Sequence, residues 1–349
     1  QRTVNLYPQL EKPGSKNTIA LYSDPGTNKL FTAGVGPCRS HGVRWGGKLF
    51  FVSGSELFSV DSSLTVTTIG TLNTSGGRVS MAAGRTYLGL VDGSNGYYWD
   101  GTTFAEITDA DFPDNPTHIA WLDTFFLVND KDTEQFHKSA SSDITSWDPL
   151  EFASAESSPD DIVAMVANEK DLYNLGSETI EVFYNSGNPD FPFEVYQQGA
   201  LEVGCAAPHS AYSASVGIFW LAISPEGDHS VMQLRGLSPQ VISDDYIEWE
   251  ISQMDTVDDA VGFVYKQAGH WFYQLTFPSA DKTFVYAITG ELWFERKSFG
   301  IGRHRAAGLG IIGNRHIIGD YSSGEFFQLD FDTLTDNGEA FERLRRGQV

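Results

Sequence analysis

The stretch Val43-Arg44-Trp45-Gly46-Gly47-Lys48-Leu49-Phe50-Phe51-Val52-Ser53-Gly54 decides the fold, with its continuations Ser55-Glu56-Leu57-Phe58-Ser59-Val60 and Thr65-Val66-Thr67-Thr68-Ile69. It reads as apolar strand, tight turn, aromatic-rich strand, polar turn and third strand. The same unit restarts near Val79, Ile119, Ile162, Ala211, Val261 and Ala306, at a spacing of about 40 residues, the period of β-propeller blades. A small sheet that cannot bury both faces alone stacks on its neighbours, and radial stacking gives the propeller. The expectation is an all-β β-propeller of six or seven blades, with seven blade-like units counted. It occupies residues 37–330, after an N-terminal segment 1–36 and before an exit segment 331–349.

The final unit holds three strand candidates, Ala306–Ile312, His316–Gly319 and Glu325–Asp330, where a blade usually has four. An early strand, either Thr18–Tyr22 or Lys29–Thr32, is expected to supply the fourth and close the ring, removing an open sheet edge. Between those two candidates, Asp24-Pro25-Gly26 reads as a turn, with proline presetting φ and glycine taking the left-handed position. Helical periodicity is nearly absent. Its best candidate, Asp245 to Met254, reads equally as a short helix or an edge strand.

Composition narrows the partners. The 349 residues carry 46 acidic and 23 basic side chains, a net charge of −23. Nucleic acid is bound mainly by Lys and Arg neutralising phosphates, so such a surface repels it on average, and anionic membrane likewise. The longest apolar run, Val216 to Ile223, is far below the roughly 18 residues that span a bilayer, and no signal peptide is visible. Cys38 and Cys205, the two cysteines, are expected to be free thiols.

No spacing demands a metal or a cofactor: the eight histidines are scattered, with no HExxH, P-loop or GxSxG. Gly308-Leu309-Gly310-Ile311-Ile312-Gly313 spells the dinucleotide fingerprint, but inside an apolar strand followed by another strand. Packing on a neighbouring blade explains those glycines better. Ser141-Ser142-Asp143-Ile144-Thr145-Ser146-Trp147 approximates an Asp-box. There Asp143 would bond turn amides and Trp147 pack beneath, a structural staple with no catalytic part. Asp160, Asp161, Asp258 and Asp259 stand just before apolar strands, where capping turns or lining a rim is the simpler role than acid/base catalysis.

Several segments resemble the packaged-DNA stabilisation proteins of short-tailed bacteriophages, the tail hub or nozzle proteins. They are Asn5-Leu6-Tyr7 with Ile19-Ala20-Leu21-Tyr22-Ser23-Asp24-Pro25-Gly26, and Gly36-Pro37-Cys38-Arg39 with Trp45-Gly46-Gly47-Lys48-Leu49-Phe50. Ser139-Ala140-Ser141-Ser142-Asp143 with Thr145-Ser146-Trp147-Asp148-Pro149-Leu150-Glu151-Phe152-Ala153 is the most specific of them. Ile318-Gly319-Asp320-Tyr321-Ser322-Ser323-Gly324 with Thr335-Asp336-Asn337-Gly338 follows in order.

The resemblance implies a structural virion protein, made in the host cytoplasm and assembled into the phage tail, with no enzymatic activity. It implies a homo-oligomer, a hexamer in the family, that sits below the portal–adaptor complex, meets other tail proteins, retains packaged DNA and later lets it exit. DNA passes through without specific binding, and an acidic lumen would suit that passage. Two rivals stand beside it. A propeller glycosidase or sialidase would need a carboxylate pair or three arginines converging in the central funnel. A carbohydrate- or protein-binding propeller scaffold would favour an exposed aromatic patch at Tyr97, Tyr98 and Trp99.

Overall fold

The computed structural model describes residues 2–10, 19–155, 160–189, 191–196 and 200–347. The first unit folds as anticipated into a four-stranded antiparallel sheet, Val43–Trp45, Lys48–Ser53, Glu56–Val60 and Val66–Thr71. Its first turn has positive φ at both Gly46 (54°) and Gly47 (80°), which glycine adopts at no steric cost. Six more sheets repeat the pattern, giving seven blades. The first strands of successive blades touch one another all the way round, including the last against the first, and so form a closed inner ring. In blade five the inner strand is split into Gly204–Cys205 and Tyr212–Ala214, both paired to Gly217–Ile223.

Seven apolar clusters, one at each interface between neighbouring blades, make up the core among the described residues. Phe51, Phe58 and Phe326, for example, join blades one and seven with ring centroids 5.0–6.0 Å apart. Burying each such side chain contributes roughly 1.5–3 kcal/mol, and the aromatic geometry adds to it. Gly308 and Gly310 lie in this interface. A Cβ on Gly308 would sit 2.0 Å from the Ser40 carbonyl oxygen, and one on Gly310 2.8 Å from Gly42. The fingerprint-like glycines therefore allow one blade to approach the next.

Ring closure uses Gly26–Thr32, which pairs antiparallel with Glu325–Asp330 as the outer strand of blade seven. The alternative strand does not serve: Ile19–Ser23 pairs with Leu6–Leu10 in a separate hairpin, and Thr18 lies outside the described residues. The Asp24-Pro25-Gly26 turn is also corrected. Gly26 is absent from the positive-φ residues, and its neighbouring strands do not pair with each other. Glycine is required there for close approach, because a Cβ would fall 2.3 Å from the Thr335 carbonyl oxygen.

Two features went beyond the reading of the repeat. Arg2–Val4 adds to blade six in parallel beside Leu292–Glu295, and Leu344–Arg346 pairs onto it, extending that sheet to six strands. Asp245–Ser252 is a helix: Asp244 caps it by accepting from the Ile247 amide (2.9 Å), and Ile247 and Ile251 bury one face against blades five and six.

Candidate functional site

An open cavity of about 360 Å³ is lined by the inner strands of blades one to five and the segments leading into them. Ala82, Ala120, Ala167 and Ala211 line it together with the larger Met81, Trp121 and Tyr212. Four polar side chains converge on it from the approach to an inner strand: His41 before Val43–Trp45, Arg78 before Ser80–Ala83, His118 before Ile119–Leu122 and His209 before Tyr212–Ala214.

His118 is buried and fully bonded. A carbonyl only accepts, so its Nε2–H donates to Pro208 (3.1 Å), which leaves Nδ1 to accept from the Thr117 hydroxyl (3.0 Å). Its ring stacks on His209 with centroids 5.3 Å apart. His41 packs edge-on to Tyr212 and Phe263, and its Nδ1 is buried without a partner. Burial pushes the histidines towards the neutral form, His41 to about 3 and His118 to about 4. His209 is likewise lowered, by burial first and then by His118, Arg78 and His41.

Arg78 donates Nη1 to the Ala307 carbonyl (2.8 Å), and its buried Nε has no partner. Burial pulls its guanidinium down to about 10. No carboxylate lines the cavity among the described residues, and no group of three or more histidine, cysteine or carboxylate side chains there could hold a metal.

The carboxylates weighed from the sequence lie elsewhere. Asp160 accepts from the amides of Glu178 (2.7 Å) and Thr179 (2.9 Å), and Asp259 from Ser279 (2.7 Å), so both cap turns. Asp161 and Asp258 are exposed. Tyr97 is buried against Phe104 at 5.6 Å, and Tyr98 packs on Tyr87, so these aromatics fill blade interfaces. Asp143 accepts from the amide (3.0 Å) and hydroxyl (2.7 Å) of Thr145, while Trp147 is buried against Phe112 and donates Nε1 to the Ile144 carbonyl (2.7 Å). Cys38 and Cys205 are buried and free, with burial raising the thiols to about 11 and about 12.

The inner-ring histidines and Arg78 escaped the reading of the sequence because no motif spacing joins them. Their shared signal was positional: each stands one to three residues ahead of an inner strand.

A second polar centre lies where the ring closes. Arg296, enclosed between blades, holds Asp24 through Nε and Nη2 (Nη2–Oδ1 2.6 Å), and reaches Tyr265 (2.7 Å) and Gln274 (2.8 Å). Burial works against its charge, but the Asp24 carboxylate and Tyr265 outweigh that and hold its pKa above the ordinary value. Nearby, buried Asp336 accepts from Thr27, the Phe299 amide (2.7 Å) and Arg305 (2.8 Å). Burial opposes its ionisation, and these donors keep its carboxyl below the ordinary range.

Similarity to solved structures shows the fold alone. Virginiamycin B lyase from Staphylococcus aureus is 9% identical, with 87% of this chain and 98% of that one covered and a TM-score of 0.54. The Cps50 (Swd1) β-propeller domain from Myceliophteria thermophila is 11% identical, covering 87% and 99%, with a TM-score of 0.53. The extracellular domain of the BT4673 system from B. thetaiotaomicron is 10% identical, covering 88% of this chain and 40% of that one, with a TM-score of 0.57. No curated protein sequence matches. The family model for phage stabilisation proteins, described as "Bacteriophage P22 Gp10, beta-propeller", matches residues 1–334. With nearly its whole length matched and a seven-bladed propeller built from it, the chain belongs to that phage stabilisation family.

Proposed function

We propose that this protein is a structural component of a phage tail, one subunit of a ring below the portal–adaptor complex that retains packaged DNA and forms its exit channel. Family membership over residues 1–334 carries the reading. The subunit works without catalysis, as a rigid wedge: a closed propeller braces every blade on two neighbours, which suits a plug under the pressure of packaged DNA.

The channel is the space enclosed by several subunits, hexameric in this reading, because the inner-ring cavity of about 360 Å³ is the size of a small-ligand pocket. Carboxylates of the −23 chain face that shared lumen. There they repel the phosphate backbone and avoid the counterion-release affinity that Lys and Arg contacts would add. The protein is virion-associated, assembles in the host cytoplasm, and meets the adaptor and the other tail proteins.

Phage deprived of this protein should fill their heads and then leak DNA. Heads that stay full, or that never fill, would reject the stabilisation role. Electron microscopy of the purified chain with portal–adaptor complexes should show a ring at the distal end, and unaltered complexes would reject the placement.

A further inference from the structure

We propose that the outer rim of blade six, from the exposed side of helix Asp245–Ser252 to the edge strand Leu344–Arg346, docks the acidic surface of a second copy of this chain. The inference rests on the ring reading above and says where the subunits meet. Tyr246 and Trp249 stand three residues apart on the helix, so they share the side opposite buried Ile247 and Ile251. Trp249 is 58% exposed there and Tyr246 37%, although tryptophan is highly buried on average. The Tyr246 hydroxyl donates to Glu295 (3.0 Å), the same carboxylate that holds Arg2 (Nη2–Oε2 2.7 Å). Arg2 pairs in register with Arg346, so the two side chains project on one face of the sheet. Helix and strand thus form one surface of tryptophan, tyrosine and arginine, the side chains that most often anchor protein interfaces.

Two further observations say what covers it. Leu344–Arg346 is the last strand of the six-stranded sheet, and its outer edge pairs with no strand among the described residues. Its outward main-chain groups are therefore open to a further strand. Arg345 and Arg346 are exposed and form no ion pair among the described residues. With Arg343 they put three of the chain's 23 basic residues into four positions, against 46 acidic side chains overall. A second copy, at net −23, carries the complementary charge. A two-fold contact would bring the arginines of one copy against those of the other. Charge therefore selects a heterologous contact, the kind that closes a ring.

The experiment measures assembly of the full chain by sedimentation and native mass spectrometry, alone and on portal–adaptor complexes. The natural chain should self-associate, and more weakly at high salt. The double variant Arg345→Glu/Arg346→Glu should weaken assembly at least about tenfold, and Trp249→Ala likewise. Both variants should keep the natural circular-dichroism spectrum, since all three side chains are exposed. Benzoylphenylalanine in place of Trp249 should cross-link one copy to another through an acidic segment. Assembly unchanged in either variant overturns the proposal and leaves the ring reading standing. Cross-linking to the adaptor alone gives the surface to another protein and overturns it too. A natural chain that stays monomeric, alone and on the portal–adaptor complex, rejects the ring reading and this inference with it.

Discussion

Two places in this propeller hold an arginine within the ring, buried at the seam and half-buried at the inner cavity, and they treat it oppositely. At the closing seam Arg296 meets Asp24, Tyr265 and Gln274, so the guanidinium is bonded on every side it can present. At the inner cavity Arg78 holds a single carbonyl. The first arrangement is what a structural joint needs: the two charges offset each other's desolvation, and losing either strands the other. The second leaves the Nε enclosed without a partner, so the side chain ties little together.

The sharpest way to break this comparison is Arg296→Ala. It should destabilise by about 3–5 kcal/mol, because Asp24 is left buried without its partner. Denaturant unfolding measures it, and a loss under 1 kcal/mol would show that the seam does not depend on the pair.

A control far from both places is the blade-three hairpin, where Trp147→Ala should cost roughly 3–5 kcal/mol through lost burial. Asp143→Ala should cost about 1–2 kcal/mol through lost turn bonds. Equal, negligible shifts in thermal stability would remove the staple assigned to these two residues.

Acid should separate the regions next. His118 is held neutral down to about pH 4, whereas an unfolded histidine binds its proton near 6.5. The folded pKa is depressed, so this stability is present above about pH 6.5 and lost as pH falls towards 4, on the order of 2–3 kcal/mol. Melting curves from pH 7 to 4.5 should fall less steeply for His118→Gln than for the natural chain. Parallel curves would mean that the inner-ring histidines do not titrate as buried groups.

The smallest effect is expected at Arg78. Removing an underbonded charge with Arg78→Gln should alter stability by no more than about 1 kcal/mol. A loss matching that of Arg296→Ala would make Arg78 a joint after all and erase the distinction.

The repeat was legible because a blade is a local object. Gly46-Gly47 fixes one hairpin, alternation fixes which face is buried, and Phe50, Phe51 and Phe58 supply an interface whatever happens elsewhere. The three-strand final unit even announced its missing partner. What stayed hidden depends on distant residues. Nothing beside Gly26 reveals that the Thr335 carbonyl will lie against it, so the glycine was given a turn's φ when it serves a close approach. Arg2–Val4 and Leu344–Arg346 joining blade six was equally unreadable from either segment alone. The inner-ring site suffers from the same problem. His41, Arg78, His118 and His209 come from separate blades, and only the closed ring makes them neighbours.

Closure by Gly26–Thr32 also sets a clock on the ribosome. Lys29 leaves the tunnel long before Glu325, its partner 296 residues later. At about 5–20 residues per second, that strand waits roughly 15–60 s with its edge unpaired. Through that interval the nascent chain is an open arc with two exposed edges, the form most prone to pairing with another copy. Slower translation should lower the yield of soluble protein, and a chaperone that shields the first strand until the last blade appears should restore it.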